Sequence, residues 1–351
     1  MPPAPALSLG RPVRRGAPPS SVEAVRETDS DALVSRMHAC EAGYLPLDEY
    51  APLFLKPGHP HARRPPLISI GTYLRVQEVD RYVDTFLRTG SLTGTHPTQE
   101  RVQIVSLGAG SDTRFWRMAA RTPTLHRYVE LDFPESVQSK MASIQHHAAL
   151  SAPLGEVHTT PHSLTGDTYG LLGTDLRKLA QQPSEWAIIA ELLNPAYPTL
   201  LLCECVLAYM DKEAADVLLT QCMQYGPRMS VLCYDMCIAG DAPHTEASPT
   251  RFGQVMLQNL RVRHLALPGA RTCTTPNAYQ ARFEALARAT EPSVPMRLTQ
   301  GAYTLCASWR ALPSAERERI TRLERLDEVE ELEMLLGHYC MAWVERSFMV
   351  Q

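Results

Sequence analysis

The sequence predicts an α/β protein in which a helical cap precedes a mostly parallel, Rossmann-like sheet. Between residues 101 and 236, helical stretches separate short apolar runs, which read "VQIVSL", "HRYVELDF", "TYGLLGTDL", "PTLLLCECV" and "RMSVLCYDM". Continuous rather than alternating apolar runs are typical of strands buried on both faces of a parallel sheet. A Gly-x-Gly loop follows the first run, at the sheet edge where such folds bind their ligands.

The chain divides into three predicted segments. Residues 1–27 are rich in proline and arginine, and we predict a disordered tail. Residues 28–100 mix short helical patterns with Pro-rich turns, so we predict a helical cap in which Asp29 or Ser30 caps the first helix. Residues 101–351 are predicted to form the core, with a helical insertion near residues 245–290.

Three later patterns complete the prediction. The segment "SPTRFGQVMLQNLRVRH" is typical of a helix, and "HYCMAWVER" is typical of a closing strand. Between them, apolar residues recur at every third position through a charged background, which predicts one amphipathic surface helix. These residues are Leu323, Leu326, Val329, Leu332 and Leu335.

The composition narrows the class of protein. The 351 residues are 44% hydrophobic and carry a formal net charge of −4. A slightly acidic chain is not expected to bind nucleic acid or anionic membranes in general, because such binders carry a basic excess. The longest apolar stretch, "AIIAELLNPAYPTLLLCECVLAYM", is interrupted by Glu191, Pro195, Pro198 and Glu204, so it is not expected to span a membrane.

The nine cysteines are an odd set without a CxxC pair. We therefore expect no zinc knuckle and no other metal site, but buried thiols in a reducing compartment. Together with the absence of a targeting pattern in the tail, this predicts a cytoplasmic protein.

The loop "LGAGSDTRFW" contains Gly108 and Gly110 but neither of two phosphate-binding signals. Thr113 stands where a third glycine would indicate a dinucleotide, and no lysine follows to indicate a nucleoside triphosphate. A dehydrogenase is therefore disfavoured. Gly-x-Gly after a strand also occurs in tight structural turns, and that interpretation stays open from the loop alone.

Acids stand at the ends of the following strands and point to a cationic ligand. They are Glu130 and Asp132 after the second run, Asp175 after the third and Glu204 after the fourth. Four carboxylates around one crevice would repel a pyrophosphate but would suit S-adenosylmethionine, which carries an ammonium and a sulfonium. Asp132 lies 22 residues after Gly110, a spacing that suits hydrogen bonds to a ribose. A helix N-cap is the alternative role for Asp132.

Several motifs together resemble the leucine carboxyl methyltransferase family. They are "TDSDALVSRMHACEAGYLP", "GTYLRV", "VSLGAGSDTRFWR", "YVELDFPE", "GTDLRKL", "LLCECVLAYM", "RFGQVM" and "LDEVEELEMLLGHYCMAW", in that order between about residues 27 and 345. The resemblance implies a class I S-adenosylmethionine-dependent methyltransferase with a seven-stranded sheet and a helical lid. It also implies methylation of the C-terminal leucine α-carboxylate of the type 2A protein phosphatase catalytic subunit, which regulates phosphatase holoenzyme assembly. The reaction would leave S-adenosyl-L-homocysteine as the second product.

The resemblance assigns a set of cofactor-binding residues. They are Arg36, Arg75, Gly108, Asp132, Asp175, Leu176 and Glu204. The family commonly has lysine at the position of Arg36, and both cations can hold a carboxylate. Thr250 replaces an acid that often precedes "RFGQ", so any contact that this acid makes is in doubt.

The expected acceptor needs no general base. A chain-terminal carboxylate has a reference pKa of about 3.3–3.7 and is already a nucleophile at neutral pH. We therefore predict that Arg177 and Tyr209 orient the acceptor carboxylate. A solvated arginine at a helix start is the alternative for Arg177, and core packing is the alternative for Tyr209. We expect a monomer whose lid helices contact the acceptor peptide.

Other functions remain open at this level. A related enzyme could methylate a carboxyl group of a modified transfer-RNA base, although such relatives usually carry an added repeat domain. A scaffold that binds the cofactor and the phosphatase without methyl transfer is a rival of a different class. A small-molecule O-methyltransferase is a further candidate.

Overall fold

The computed structural model describes residues 21–55, 63–290, 294–326 and 328–348, and its elements alternate as the sequence predicts. The helices are α1 Ser21–Glu41, α2 Pro66–Thr89, α3 Arg114–Arg117, α4 Pro134–His146, α5 Ala148–Ser151, α6 Leu176–Leu179, α7 Pro183–Glu191, α8 Lys212–Met223, α9 Arg251–Val262, α10 Pro276–Thr290, α11 Leu305–Ala311, α12 Ser314–Leu323 and α13 Val329–Leu336. The strands are β1 Val102–Leu107, β2 Leu125–Asp132, β3 His158–Thr160, β4 Ser163–Thr165, β5 Tyr169–Gly173, β6 Thr199–Glu204, β7 Arg228–Met236, β8 Met296–Thr304 and β9 Tyr339–Phe348.

Within the described residues, one sheet has the strand order β3-β4-β5-β2-β1-β6-β7-β9-β8. The five strands from β5 to β7 are parallel, and β9 pairs antiparallel with both β7 and β8. The seven strands from β5 to β8 form the class I methyltransferase sheet, so the predicted fold class is confirmed. The hairpin of β3 and β4 extends the sheet by two strands at the β5 edge.

The parallel strands are buried on both faces, as continuous apolar runs predict. All six residues of β1 are buried. Ile104 packs on one face with Trp116, whereas Val105 packs on the other with Leu218 and Tyr279. Successive side chains of a strand point to opposite faces, so β1 contributes to two separate apolar cores.

The helical cap starts earlier than predicted. Helix α1 begins at Ser21 and continues through Asp29 and Ser30, so the tail boundary at residue 27 and the proposed N-cap are wrong. The side chain of Asp29 is instead bound by Ser111 of the loop after β1. Residues 1–20 of the predicted tail lie outside the described residues. Helix α2 packs against α1 and also against α11 and α13 from the end of the chain.

The apolar positions from Leu323 to Leu335 do not form one helix, and Leu326 lies in the segment between two helices. Helix α12 ends at Leu323, and α13 begins at Val329. A strict three-residue spacing advances only 300° per step on an α-helix, so the apolar direction drifts around a continuous helix. Leu332 is fully buried in the core, whereas Val329 is exposed.

The remaining helical predictions agree with the structure. The predicted helix around "RFGQVM" is α9, and α9 and α10 lie in the region of the predicted insertion. Thr250 accepts a hydrogen bond from the backbone N–H of Gly253 and so caps α9. Of the helices in the described ranges, none combines the length and apolar character that a bilayer crossing requires.

Candidate functional site

A cavity of about 390 Å³ lies where the carboxyl ends of β1, β2, β5 and β6 meet the helical cap. Its lining includes all the residues predicted to bind the cofactor or to orient the acceptor: Arg36, Arg75, Gly108, Asp132, Asp175, Leu176, Arg177, Glu204 and Tyr209. The lining also includes Asp31 of α1 and Arg263 after α9, which form an ion pair that joins these two elements. The predicted residues therefore come together, although they are spread over more than 170 positions of the chain.

The loop after β1 requires glycine at two positions. Gly108 and Gly110 have φ values of 62° and 48°, in the left-handed region that favours glycine. A Cβ on Gly108 would lie 2.8 Å from Cγ2 of Val206, and one on Gly110 would lie 2.4 Å from Oδ1 of Asp29. At both positions the backbone lies closer to Val206 or Asp29 than a residue with a Cβ would allow.

Asp132 holds this loop rather than capping a helix. Its Oδ2 accepts a hydrogen bond of 2.7 Å from Gly110 N, and its Oδ1 accepts one of 2.7 Å from Phe133 N. Helix α4 has Phe133 as its N-cap, without a side-chain cap. Burial raises the pKa of Asp132, and the two backbone donors oppose that shift.

Glu204 ends β6 between two arginines. Arg75 of α2 donates to Oε1 over 2.5 Å, and Arg114 of α3 donates to Oε2 over 2.6 Å. Burial by itself would raise the pKa of Glu204, but the charges of Arg114 and Arg75 hold it well below its usual range. The carboxylate is therefore ionised although it is largely buried. The next residue, Cys205, has a φ of 56°, which marks a strained turn at this strand end.

Arg36 is a largely buried cation beside the glycine loop. Its Nη2 donates to the carbonyl oxygen of Ser111 over 2.8 Å, while its Nε has no hydrogen-bond partner among the described residues. Nε lies 3.7 Å from the carboxylate of Asp48. An unsatisfied buried donor is costly, so this position favours an anionic ligand.

The opposite end of the cavity is formed by Asp175 and Leu176 at the start of α6. Asp175 caps this helix by accepting from Arg177 N over 3.0 Å. The guanidinium of Arg177 also binds both oxygens of Asp175, at 2.9 and 2.7 Å, and lies over the ring of Phe133. Its partner is therefore a neighbouring carboxylate.

Tyr209 lies in a short 3₁₀ helix after β6. The buried carboxylate of Asp235 fixes this turn by accepting from Ala208 N over 3.0 Å. The Tyr209 ring is half-buried and lines the cavity, and burial raises the pKa of its hydroxyl. The hydroxyl is therefore a neutral donor over the physiological pH range.

Glu130 does not line the cavity, so the prediction of four acids from the strand ends is wrong for this residue. It is fully buried, and its Oε2 is bound by Lys140 at 2.6 Å and by the hydroxyl of Tyr169 at 2.5 Å. Burial raises its pKa to about 7, against the opposing effect of Lys140.

The sequence interpretation also missed charged residues that line the cavity: Arg26, Asp29, Asp31, Asp112, Arg114 and Arg263. Asp112 and Arg114 directly follow the glycine loop, and that proximity is the one signal that could have identified them. Together with the predicted residues, these side chains make six arginines and six carboxylates in the cavity lining. The formal charge of the lining is therefore zero.

Comparisons with known proteins identify the relatives of this chain. The family model described as leucine carboxyl methyltransferase matches residues 32–223. A protein of Mycosarcoma maydis named leucine carboxyl methyltransferase 1 is 36% identical over 93% of this chain and 78% of its own length. A protein of Rattus norvegicus with the same name is 32% identical over 93% of this chain and 90% of its own length.

A second protein of Rattus norvegicus has a different name. It is called tRNA wybutosine-synthesizing protein 4 and is 32% identical over 92% of this chain, but over only 44% of its own length. Among solved structures, a DUF574 family protein of Streptomyces avermitilis superposes with a TM-score of 0.48 and 14% identity, over 80% of this chain and 86% of that chain.

Proposed function

The chain belongs to the leucine carboxyl methyltransferase family, and we propose that its acceptor is the C-terminal leucine of the type 2A protein phosphatase catalytic subunit. It is an S-adenosylmethionine-dependent enzyme that methylates a leucine carboxylate. The observation that carries the proposal is the balance of six arginines and six carboxylates around one cavity. The cofactor adds one positive charge and the acceptor carboxylate adds one negative charge, so the loaded site remains neutral.

The residues around the cavity fit the cofactor. Arg36 offers a buried Nε without a hydrogen-bond partner among the described residues, and a Cβ on Gly108 or Gly110 would collide with Val206 or Asp29, which line the same cavity. Arg36 and the glycine loop would hold the cofactor carboxylate, and Glu204 would accept from the ammonium. Asp132 would accept from the ribose hydroxyls, and Asp175 and Leu176 would hold the adenine. When bound, the cofactor supplies an electrophilic methyl group on a sulfonium.

The acceptor carboxylate needs orientation rather than deprotonation. Arg75 binds Glu204 through Nε, and no hydrogen bond from its Nη atoms is recorded among the described residues. We therefore assign orientation of the carboxylate to Arg75, which the sequence assigned to the cofactor, and to the hydroxyl of Tyr209. Apolar side chains that suit a leucine also line the cavity: Met210, Leu260, Leu265, Leu305 and Leu335.

Arg177 has a different role in this proposal. The sequence assigned it to the acceptor carboxylate, but its guanidinium is bound to both oxygens of Asp175. This pairing supports a role at the adenine end, where Arg177 would orient Asp175.

The test uses methyl-labelled S-adenosylmethionine with the intact phosphatase catalytic subunit and with a subunit that lacks only its last leucine. We expect base-labile label on the intact subunit alone, because a carboxyl methyl ester hydrolyses in base. Label on both subunits, or label that resists base, would contradict the proposed acceptor. Cofactor binding without label on either subunit would favour the scaffold.

A second candidate acceptor is a modified transfer-RNA base, because one relative at 32% identity is a tRNA wybutosine-synthesizing protein. The chain spans less than half of that relative, and its net charge of −4 does not favour a nucleic-acid substrate. The same labelled assay with transfer RNA from cells that lack this modification step separates the two acceptors.

A further inference from the structure

A chain of alternating arginines and carboxylates connects the two predicted cofactor-binding arginines of the helical cap. In order of contact it consists of Arg36, Asp48, Arg117, Asp80, Arg114, Glu204 and Arg75. Its charges alternate at every step, so each member is stabilised by its neighbours. The ion-pair chain joins α1, the segment after α1, α2, α3 and β6, so it connects the helical cap to the sheet.

The contacts tighten from one end of this ion-pair chain to the other. At the Arg36 end, Asp48 lies 3.7 Å from Arg36 and 3.6 Å from Arg117. Asp80 of α2 then binds Arg117 at 2.8 Å and Arg114 at 2.7 Å. The tight contacts therefore lie on the side of Arg114 and Glu204.

Arg114 is the most buried member and the one with the most ion-pair partners. Its side chain is 2% exposed, and it binds Asp80, Asp112 and Glu204 at 2.7, 2.9 and 2.6 Å. The planar guanidinium carries five N–H donors in fixed directions, so three carboxylates bound to it have fixed relative positions. The position of Glu204 therefore depends on α2 and on the loop after β1, as well as on its own strand.

The two oxygens of Glu204 have different partners. Arg75 binds Oε1 and Arg114 binds Oε2, so the carboxylate plane cannot rotate without breaking one of the two contacts. A ligand ammonium then meets a carboxylate whose direction is already fixed. Preorganised partners bind better because less order is lost on binding.

We propose that Arg114 is a positioning residue, which fixes the ionised carboxylate of Glu204 in the direction that receives the cofactor ammonium. This inference rests on the proposed role of Glu204 as a cofactor ligand. Arg114 acts through Glu204, and Asp80 and Asp112 in turn hold Arg114 in place.

The test compares Arg114→Gln with the control Arg117→Gln. Arg117 shares Asp80 with Arg114 but does not contact Glu204. We expect Arg114→Gln to weaken S-adenosylmethionine binding by about 30-fold, measured by calorimetry, because it removes one of two charged partners of a buried carboxylate. Arg117→Gln is expected to change binding by less than about 3-fold. The KM for the acceptor should change little in either variant.

The pH profile separates positioning from a general loss of structure. Burial raises the pKa of Glu204 and the charges of Arg114 and Arg75 lower it, so loss of Arg114 should raise it. The affinity of Arg114→Gln for the cofactor, divided by that of the wild type, should therefore rise with pH, whereas the same ratio for Arg117→Gln should stay flat. The ratio cancels the titration of the cofactor's own amino group, whose reference pKa is about 7.7–8.0. Arg114→Lys should restore the flat profile in part, since it returns the charge without the three-way geometry. Equal pH profiles in Arg114→Gln and the wild type would contradict the inference.

Glu204→Gln distinguishes failure of this inference from failure of the proposed site. If Glu204→Gln weakens binding and Arg114→Gln does not, Arg114 is not a positioning residue and the site stands. If neither weakens binding, the role of Glu204 itself is wrong. In the double variant we expect no further loss beyond Glu204→Gln, and additive losses would contradict coupling. Should Arg114→Gln fail to fold, Asp80→Asn removes the negative charge from the Nε partner of Arg114 without touching Glu204, and it should weaken binding by about 5-fold.

Discussion

The two ends of the cavity each contain an arginine–carboxylate pair, yet the surroundings of the pairs differ. At the amino-acid end, Arg114 binds Glu204 at 2.6 Å, with side-chain exposures of 2% and 16%. At the adenine end, Arg177 binds Asp175 at 2.7 Å, with exposures of 38% and 16%. The contact distances are nearly equal, so distance alone does not rank the pairs.

The difference in burial changes what each pair contributes. An exposed ion pair typically contributes about 0–1 kcal/mol, because solvent screens it and long side chains lose freedom. Removal of one partner from a buried pair typically costs about 3–5 kcal/mol, because a charge remains in a poorly solvated place. The amino-acid end should therefore be sensitive to substitution, and the adenine end should tolerate it.

The pairs also differ in how they are assembled. Asp175 and Arg177 lie two residues apart at the start of one helix. Glu204, Arg114 and Arg75 come from β6, α3 and α2, which meet only in the folded protein. The pair of Asp175 and Arg177 can form as soon as its helix forms. The pair of Arg114 and Glu204 forms only when the helical cap has packed on the sheet.

The largest effect should follow loss of the buried cation at the amino-acid end. We expect Arg36→Ala to raise the KM for S-adenosylmethionine by about 100-fold, which corresponds to about 3 kcal/mol. The variant removes the proposed partner of the cofactor carboxylate and the contact with the carbonyl of Ser111. Steady-state kinetics with varied cofactor measures the change.

Two controls accompany Arg36→Ala. Arg36→Lys keeps the charge and should change the KM by only a few-fold. Arg88→Ala removes an exposed arginine of α2 and should leave the KM unchanged. A KM for Arg36→Ala within about 3-fold of wild type would contradict the proposed cofactor contact.

The next effect concerns stability beneath the amino-acid end. Glu130 is bound to Lys140, whose Nζ also donates to the carbonyl of Asp112, a partner of Arg114. Because burial raises the pKa of Glu130 to about 7, the folded state holds a proton there that the unfolded state releases near pH 4.5. The free energy of unfolding should therefore fall as pH rises from about 4.5 to 7, by up to about 3 kcal/mol from this group.

Urea unfolding at several pH values tests this dependence. Glu130→Gln should abolish the part of the pH dependence that Glu130 contributes, so its stability relative to wild type should increase between pH 5 and pH 8. Glu135→Gln, at an exposed position of α4, serves as the control and should follow the wild type. Parallel pH profiles for wild type and Glu130→Gln would show that Glu130 titrates as it does in the unfolded chain.

A smaller effect should follow a Cβ in the glycine loop. Gly108→Ala places an alanine at a φ of 62° and its Cβ 2.8 Å from Val206. We expect strain of about 1–2 kcal/mol and a rise of about 10-fold in the KM for S-adenosylmethionine. The double variant Gly108→Ala with Val206→Ala should recover part of the loss, because it removes the steric contact and keeps the backbone strain.

Gly43→Ala is the matched control for this loop. Gly43 has a φ of 83°, but a Cβ there would meet only Cδ2 of Leu323 at 3.4 Å. The variant should lower the melting temperature and leave the KM unchanged. If Gly108→Ala behaved in the same way, the loop would be a structural turn rather than part of the cofactor site.

The same contrast between local and tertiary assembly explains which features the sequence could predict. Strand ends of a parallel sheet meet at one edge, so Gly108, Asp132 and Glu204 could be placed together from their positions alone. Strand β8 was missed because "MRLTQGAYT" is half-exposed and lacks an apolar run, and β3 and β4 are only three residues long. Each of these strands forms because it hydrogen-bonds to a neighbouring strand of the sheet, and its own sequence pattern does not show that partner.

Orientation was harder to predict than position. Glu130 precedes Asp132 by two residues on the same strand, yet the first is buried beside Lys140 and the second binds the glycine loop. Arg114 and Asp29 were missed because their partners come from other elements, at sequence distances of 90 and 82 residues. Spacing within one strand or helix gives no information on such partners.

The smallest effect is expected at the adenine end. Arg177→Ala removes an exposed partner of Asp175, so the KM for S-adenosylmethionine should rise by no more than about 3-fold. The KM for the acceptor should remain within about 2-fold, because the guanidinium is bound to Asp175 rather than directed to an acceptor. Steady-state kinetics with each substrate varied in turn separates the two constants. A rise of about 10-fold or more in the acceptor KM, with the cofactor KM unchanged, would instead place Arg177 beside the acceptor carboxylate, as the sequence predicted. The two ends of the cavity would then both act on the reacting groups, and burial would no longer distinguish them.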